Sequence, residues 1–485
     1  MKDVSWNAEA LRVFEEVMRV GPPPAFREVA EKAIREESER NAAGRTSGEV
    51  EVADVVRACL TETPVPFRPK MVEDLKRLGL NPDSFVAPAG QTRDLFSPEV
   101  RQDPYSYYAE LRRSAPVCQL GSFGLWMVSR YDDVSYVLKN FEYFSSAGMQ
   151  KAIEAIAGSG PSSFGANMFT ADPPEHTHLR NVVSRAFTPQ SIAALEPRIR
   201  AIIDQLLDRI LPQGHFDLKG DLAGPLPVIV VAELLGVDPE RQEDFRRWCD
   251  TLTEAVSLGP GANDKKDRVR QISLEFNDYL KQVVESRRRN PKDDLISKVV
   301  RAEEQEGTLT SDEVLSLVRL LLIAATETTT YLITNAVFAL LSRPEVLKAV
   351  RDNPSLIPNV VEETLRYDSP AQIMFREATR DVMLGGMTVP KGSSVAALIG
   401  SANRDERKYG DPDTFDITRN TQGHLAFGSG IHFCLGAPLA RLEGRIALET
   451  LLSRFKTLSL KEESVTWVNS IMLRGPKRLD LVFER

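Results

Sequence analysis

The sequence predicts a mainly α-helical protein with small β-sheets, in which a small all-α unit precedes one large domain. Three observations lead there. Long stretches between residues 191 and 367 carry apolar residues at helical spacing. Strand signals are few and short. Before residue 90, short helical stretches alternate with clusters of glycine and proline.

Residues 1–90 read as an accessory module of three or four helices. Stretches 6–20, 25–41 and 49–61 have helical periodicity, and 71–78 suits a fourth short helix. Gly21-Pro22-Pro23-Pro24, Ala43-Gly44-Arg45-Thr46-Ser47-Gly48 and Pro64-Val65-Pro66 divide them, and Val86-Ala87-Pro88-Ala89-Gly90 reads as a linker. Residues 91–485 form the second domain. Stretches 191–211, 239–258, 264–289, 311–341 and 344–367 suit helices, with Ser311 as an N-cap and Asp312 and Glu313 at the positive end of the dipole. The better strand signals are 125–128, 387–395 and 479–483. Within them, 388–395 reads as a hairpin around Pro390-Lys391-Gly392.

Composition bounds the function. Hydrophobic content of 42% and charged content of 27% are those of a globular protein. A net charge of −8 argues against nucleic acid as a main partner, because phosphate binding needs a basic surface. The N-terminus lacks a basic stretch followed by an apolar run, which argues against a signal peptide. The strongest apolar runs, 225–237 and 317–325, are shorter than the ~18 residues of a membrane span. Cys59, Cys118, Cys249 and Cys434 lie far apart, with no zinc-type spacing. We therefore expect a reduced, cytoplasmic protein without a disulfide framework.

Four segments carry chemistry. The first is Phe427-Gly428-Ser429-Gly430-Ile431-His432-Phe433-Cys434-Leu435-Gly436, followed at once by a helical stretch. Its glycines allow positive φ and close backbone approach to a flat ligand. A cysteine at a helix start feels the positive dipole end, which favours thiolate. The loop alone also fits a glycine-rich turn around a buried core cysteine. The second segment, Ala324-Ala325-Thr326-Glu327-Thr328-Thr329-Thr330, sets an acid and a threonine run inside an apolar helix, where burying a carboxylate is costly. Threonine hydroxyls there can bond back to earlier carbonyls, so a polar notch at a helix contact is the plainer alternative. The third places Glu363 and Arg366 at i, i+3 on one helix face. In the fourth, Asp172-Pro173-Pro174-Glu175-His176-Thr177-His178-Leu179-Arg180, His176 and Arg180 stand four apart and share a face.

Together, and in the order 172–180, 324–330, 363–366 and 427–436 along the chain, the segments resemble the cytochrome P450 family in its soluble bacterial form. The resemblance implies a cytochrome P450 fold over 91–485, a haem b cofactor and Cys434 as the iron ligand. A thiolate ligand donates electron density to haem iron and favours O–O cleavage. By the same resemblance Glu327 is the proton-relay acid and Thr328 the hydroxyl that orders water and dioxygen. His176, Arg180, Arg376 and His432 would contact the haem propionates, and Phe427, Gly428, Gly436 and Ala324 would line the haem. Glu363, Arg366 and Arg419 would form a structural ion cluster beside the cysteine loop. Asn403-Arg404-Asp405 matches a frequent family sequence without an assigned role. Ala325 departs from the pattern, since a glycine is usual there and its methyl narrows the groove.

The substrate wall is expected from 145–168, 245–265, 317–324, 373–375, 398–401 and 470–472. Ile373, Met374, Phe375, Ile471 and Met472 make it apolar and soft. A small or medium apolar molecule is the expected substrate, oxidised with dioxygen by hydroxylation or oxidative dealkylation. The sequence carries no flavin, NAD or ferredoxin fingerprint, so electrons are expected from a separate ferredoxin and its reductase. Arg441 and Arg445 are candidate contacts for the acidic ferredoxin. The alternatives are a peroxide-driven haem oxidase and a non-catalytic haem sensor or carrier; the Glu327-Thr328 pair argues against both. Trp6-Asn7-Ala8-Glu9-Ala10 and Pro24-Ala25-Phe26-Arg27 also faintly resemble the small helical domain of the light-independent protochlorophyllide reductase.

Overall fold

The fold is that of a computed structural model. It describes residues 5–20, 27–43, 49–63, 68–80, 95–120, 125–150, 167–184, 187–237 and 266–484, apart from 213, 293, 307–308 and 462–464, with scattered positions between 239 and 251.

Among the described residues the N-terminal unit has four helices, Ala8–Val20, Arg27–Ala43, Val52–Glu62 and Arg68–Arg77. Its core is its own: Ala10, Phe14, Val17, Val55, Cys59 and Leu75 pack together. The unit is not all-α as expected. Ser5–Trp6 and Glu49–Val50 form a short parallel strand pair, extended by Asn7 N–H donating to Val50 O at 3.1 Å. Two-residue strands are too short to show an alternating pattern.

The larger domain is mainly helical with small sheets, as predicted. Two long expected helices are broken. Stretch 344–367 divides into Pro344–Asp352 and Ile357–Tyr367, because Pro354 has no N–H for a continuing helix and Asn353 caps Ser355 instead. Stretch 191–211 divides into Pro189–Ala193 and Glu196–Ile210. Of 239–258, Pro239–Arg241 forms a single 3-10 turn, and most of residues 242–258, including Cys249, lie outside the described residues. Helices Tyr105–Ser114, Tyr131–Lys139, Pro225–Leu235 and Leu295–Glu306 were not foreseen. The described cysteines, Cys59, Cys118 and Cys434, are free.

The main sheet has five strands in the order Val117–Leu120, Leu125–Val128, Ser394–Leu398, Ile373–Ala378 and Phe144–Ser145. Ser394–Leu398 runs parallel to one neighbour and antiparallel to the other, with Ala396 opposite Phe375 and Val395 opposite Arg376. The expected hairpin over 388–395 is not formed. Met387–Val389 pairs with Val382–Leu384 through a turn at Gly385 and Gly386, both with positive φ. Pro390-Lys391-Gly392 instead carries the chain from that small hairpin into the main sheet, with Gly392 N–H donating to Ala378 O at 2.7 Å.

Helix Ser311–Leu341 is the axis of the domain and carries the acid–threonine segment. Its cap is Thr310, one residue before the expected Ser311. The Thr310 side chain accepts from Glu313 N at 3.3 Å, and Glu313 accepts from Thr310 N at 2.7 Å, a reciprocal capping box. This helix is long and apolar enough to cross a membrane, but 61% of its most apolar window is buried inside the protein, as befits a core helix. Thr310→Ala removes one half of the box and is expected to cost about 1 kcal/mol of stability, with Thr310→Ser restoring most of it, as read from urea denaturation midpoints.

Candidate active site

A cavity opens between the middle of the central helix, the cysteine loop and the edge of the main sheet. Ala324, Glu327 and Thr328 line one wall; Phe427, Gly428, His432, Cys434 and Gly436 line the opposite one. His176, Arg180, Ile373, Met374, Arg376 and Met472 complete it. The structure thus gathers residues that are as much as 296 positions apart, from His176 to Met472.

The cysteine loop is shaped by backbone. Gly428 and Gly430 have φ of 71° and 69°, a region side-chain-bearing residues avoid. A Cβ on Gly430 would also sit 3.0 Å from Leu138 O. Cys434 N–H donates to Phe427 O at 2.8 Å, closing the loop. Helix Ala437–Arg454 starts three residues later, with Gly436 as its N-cap. The thiol is not lowered as expected from its place before a helix. Burial pushes it up, and the amides of Gly436 and Ala437, with the charges of Arg180 and Arg441, only partly offset this.

The cationic side of the cavity is dense. The rings of His176 and His432 lie 4.2 Å apart, centre to centre. His176 is buried, and neither of its ring nitrogens has a hydrogen-bond partner. His432 meets Ser146 Oγ at 2.7 Å through Nε2. Burial, with Arg376, His176 and Arg180 nearby, pulls His432 down to about 3. Burial lowers Arg376 to about 10, against the opposing pull of Asp172. Arg180 donates to Phe433 O at 2.6 Å. Two arginines, with a neutral His432 and the unbonded ring nitrogens of His176 beside them, suit an anionic guest.

On the central helix the threonines bond back along the chain. Thr328 Oγ1 donates to Ala324 O at 2.9 Å, and Thr330 Oγ1 to Thr326 O and to Ala223 O, both at 3.0 Å. Such bonds take hydroxyl groups out of competition for solvent and leave their oxygens as acceptors.

Behind the loop, Arg366 and Glu363 form a two-pronged ion pair at 2.7 Å, both fully buried. Arg366 also donates to Asn403 O, Pro412 O and Thr414 O, and Glu363 accepts from Asp416 N at 2.8 Å. Arg419 Nε approaches Glu363 at 3.5 Å, so the expected trio is brought together. The Asn403-Arg404-Asp405 run belongs to the same network, a function the sequence did not reveal. Asn403 accepts from Leu425 N at 2.6 Å and donates to Ser369 Oγ at 2.8 Å; Asp405 accepts from Tyr131 N at 2.7 Å.

Three expectations need correction. Phe375 does not line the cavity. It alternates with Met374 and Arg376 along Ile373–Ala378, points to the other face, and packs with Tyr107, Tyr108 and Leu111. Ile471 likewise packs against that core rather than the cavity, while Met472 reaches it. Arg441 and Arg445 are not spare charges for a partner. Arg441 grips Glu362 through two bonds of 2.5 and 3.0 Å, and Arg445 bonds Glu196 and Glu449 at 2.6 and 2.8 Å. Of the other expected substrate segments, 151–166 and most of 245–265 lie outside the described residues.

One residue was missed. Glu443, on helix Ala437–Arg454, lines the cavity, is 1% exposed and has no hydrogen-bond partner at Oε2. The sign of it was an acid amid the apolar face of that helix, a pattern also made by many solvated acids.

The cytochrome P450 family model matches residues 257–483. Cytochrome P450 CYP107DY1 of Priestia megaterium is 41% identical over 407 residues, covering 80% of this chain and 98% of that protein. The solved cytochrome P450 CYP109Q5 from Chondromyces apiculatus is 43% identical, with a TM-score of 0.74, over 81% of this chain and 98% of its own. CYP109E1 from Bacillus megaterium, solved in complex with testosterone, is 34% identical with a TM-score of 0.73, over 80% of this chain and all of its own. A helical fold whose cavity sets a cysteine loop against an acid–threonine notch belongs to the haem-dependent monooxygenases. This chain is a member of the cytochrome P450 family. Its cofactor is haem b, and the cavity fits that group: a thiol on one wall, and two arginines with the unpartnered ring nitrogens of His176, which suit its two carboxylates. No relative supports the likeness of the N-terminal helices to the protochlorophyllide reductase domain.

Burial raises Glu443 from 4.5 to about 8. The folded protein therefore holds a proton that the unfolded chain releases between those values, and stability falls as pH rises across that window. Glu443→Gln is expected to remove this slope, so its unfolding midpoint rises relative to the parent between pH 5 and 8. Parallel pH profiles for the two proteins would contradict it.

Proposed function

We propose that Cys434 supplies the thiolate ligand and that the chain hydroxylates or dealkylates an apolar molecule of small or medium size. The observation that carries this reading is the placement of Cys434 across one cavity from Glu327 and Thr328. Bound haem would supply the oxidising power, activating dioxygen for insertion into a C–H bond.

The chain's own residues have separable tasks. Arg180 and Arg376 would neutralise the haem propionates, and His176 and His432 would donate hydrogen bonds to them. Phe427, Gly428, Gly436 and Ala324 line the cavity and would pack against the haem. Glu327 carries protons inward, and Thr328, its hydroxyl donated to Ala324 O, presents its oxygen to a water in the groove. Glu363, Arg366 and Arg419 hold the approach to the loop. Ile373, Met374 and Met472 exclude water and orient the substrate by apolar contact. The pocket is thus suited to a substrate bound by shape rather than by charge, and a relative bound to testosterone is consistent with that size and polarity. A separate ferredoxin and its reductase supply the electrons. Residues 1–90 are an accessory domain with its own core, and the whole chain works in the cytoplasm.

Two outcomes test this. The purified protein should bind haem and give a thiolate-type absorption in its reduced carbon monoxide complex, which Cys434→Ser loses while circular dichroism stays the same. A protein that holds no haem, or a Cys434→Ser variant that keeps the absorption, overturns the ligand assignment. With ferredoxin, reductase and NAD(P)H, and a substrate found by its Soret shift, Glu327→Gln should cut product formation by about 100-fold while leaving the Soret shift intact.

A further inference from the structure

The N-terminal unit touches the catalytic domain at one corner, and that corner leads to the cysteine loop. Glu37, on helix Arg27–Ala43, is 3% exposed and receives two arginines of the other domain: Arg130 Nη2 at 3.2 Å and Arg407 Nη2 at 3.0 Å. Arg130 is the N-cap residue of helix Tyr131–Lys139. Its Nε donates to Arg112 O at 2.9 Å, so the guanidinium is fixed from both sides. The next residue, Tyr131, donates its N–H to Asp405, and Asp405 in turn accepts from Arg407 N at 3.0 Å. The other cation on Glu37 therefore belongs to the same corner. A second contact lies beside it. The Gly385-Gly386 turn packs so tightly on the unit that a Cβ on Gly386 would fall 2.5 Å from Leu60 Cβ, and Met383 joins the unit's own core.

Helix Tyr131–Lys139 has nine residues, so it carries the constraint over about 13 Å. Its far end is the surface on which the cysteine loop rests. A Cβ on Gly430 would lie 3.0 Å from both Leu138 O and Lys139 Cα, which leaves no slack between helix and loop. Leu138 itself lines the cavity. Packed elements of this kind shift as bodies rather than deform.

We infer that the N-terminal unit is a positioning element for the cysteine loop, and that Glu37 is the residue through which it holds helix Tyr131–Lys139 against Gly430. This rests on Cys434 being the haem ligand. The unit then does more than add a stable bundle to the chain: it stiffens the rim that keeps Cys434 at ligand distance. Removing the Glu37 charge leaves two arginines facing a buried neutral amide, which is unfavourable for the corner and releases one end of the helix.

The test uses the full-length holoprotein. In Glu37→Gln, conversion of the reduced carbon monoxide complex from its thiolate-type to its thiol-type absorption should run roughly tenfold faster than in the parent, under warming too mild to alter far-ultraviolet circular dichroism. Arg77→Gln, which breaks the exposed Glu73–Arg77 pair on the same unit, should convert at the parental rate. If Glu37→Gln does not fold, Arg130→Lys takes its place, since it keeps the charge but loses the Nε bond to Arg112 O. Conversion at the parental rate overturns the inference. So does conversion that keeps step with loss of helical signal, because that marks a purely structural unit. A parent lacking the thiolate-type absorption would instead overturn the ligand assignment itself.

Discussion

A carboxylate and a guanidinium without access to water, Glu363 and Arg366, set the frame on which the catalytic cavity is hung. A buried ion pair adds little net stability compared with apolar side chains of the same size. What it supplies here is bonding capacity. Arg366 has five N–H donors in a rigid fork, and after two go to Glu363 the remainder reach three carbonyls in the irregular stretch 403–414. Glu363 takes an amide from just beyond it, that of Asp416. That stretch has little regular structure of its own, so its shape comes from these bonds. Asn403 then passes the order on to Leu425, two residues before Phe427 and the start of the cysteine loop. Loss of either charge would leave the other buried and unpaired, and the loop would lose its foundation.

The cavity shows a division of labour by distance from water. Its chemistry-bearing groups sit on rigid elements: the middle of the central helix, one sheet strand, and a glycine loop pinned at both ends. Cations gather at one side and an acid–hydroxyl pair at another. Arg180 and Arg376 stand on this side before any ligand arrives, and burial together with their charge keeps His432 neutral. A binding site of like charges is strained when empty and relieved by an anion, which is the electrostatic basis for a tightly held prosthetic group. Glu443 adds the reverse case, a carboxyl kept neutral by burial near the same space.

Much of this was legible in the sequence because it is local. The central helix 311–341 was bounded correctly at both ends, since its apolar period and acidic first turn agree, although the cap is Thr310 and not Ser311. The loop around Cys434 was legible from its glycines, and the Glu363–Arg366 pair from its spacing. The elements that escaped are those whose cause lies elsewhere in the chain. Helix Pro225–Leu235 is buried nearly all round, so it has no polar face to betray a period. Helix Tyr131–Lys139 has no side-chain cap and is only nine residues long. The hairpin was placed one turn late because Pro-Lys-Gly and Gly-Gly are both good turn sequences, and only pairing partners decide between them. Glu37 looked like one more acid on a charged helix; that it is buried between Arg130 and Arg407 is set by tertiary contact alone.

The alternation along Ile373–Ala378 also bears on how such an enzyme could change over time. Phe375 faces a packed core and Arg376 faces the cavity near His432, whereas Met374 is half-buried at the cavity wall, about 7 Å from Arg376 on the same face. Replacing the side chain at 374 alters the room offered to a substrate while leaving Phe375 and Arg376 in place, though it also touches the cores on either side. Neighbours along one strand are thus free to evolve at different speeds: two are constrained by what they already hold, and one is left to track whatever molecule the cell next presents.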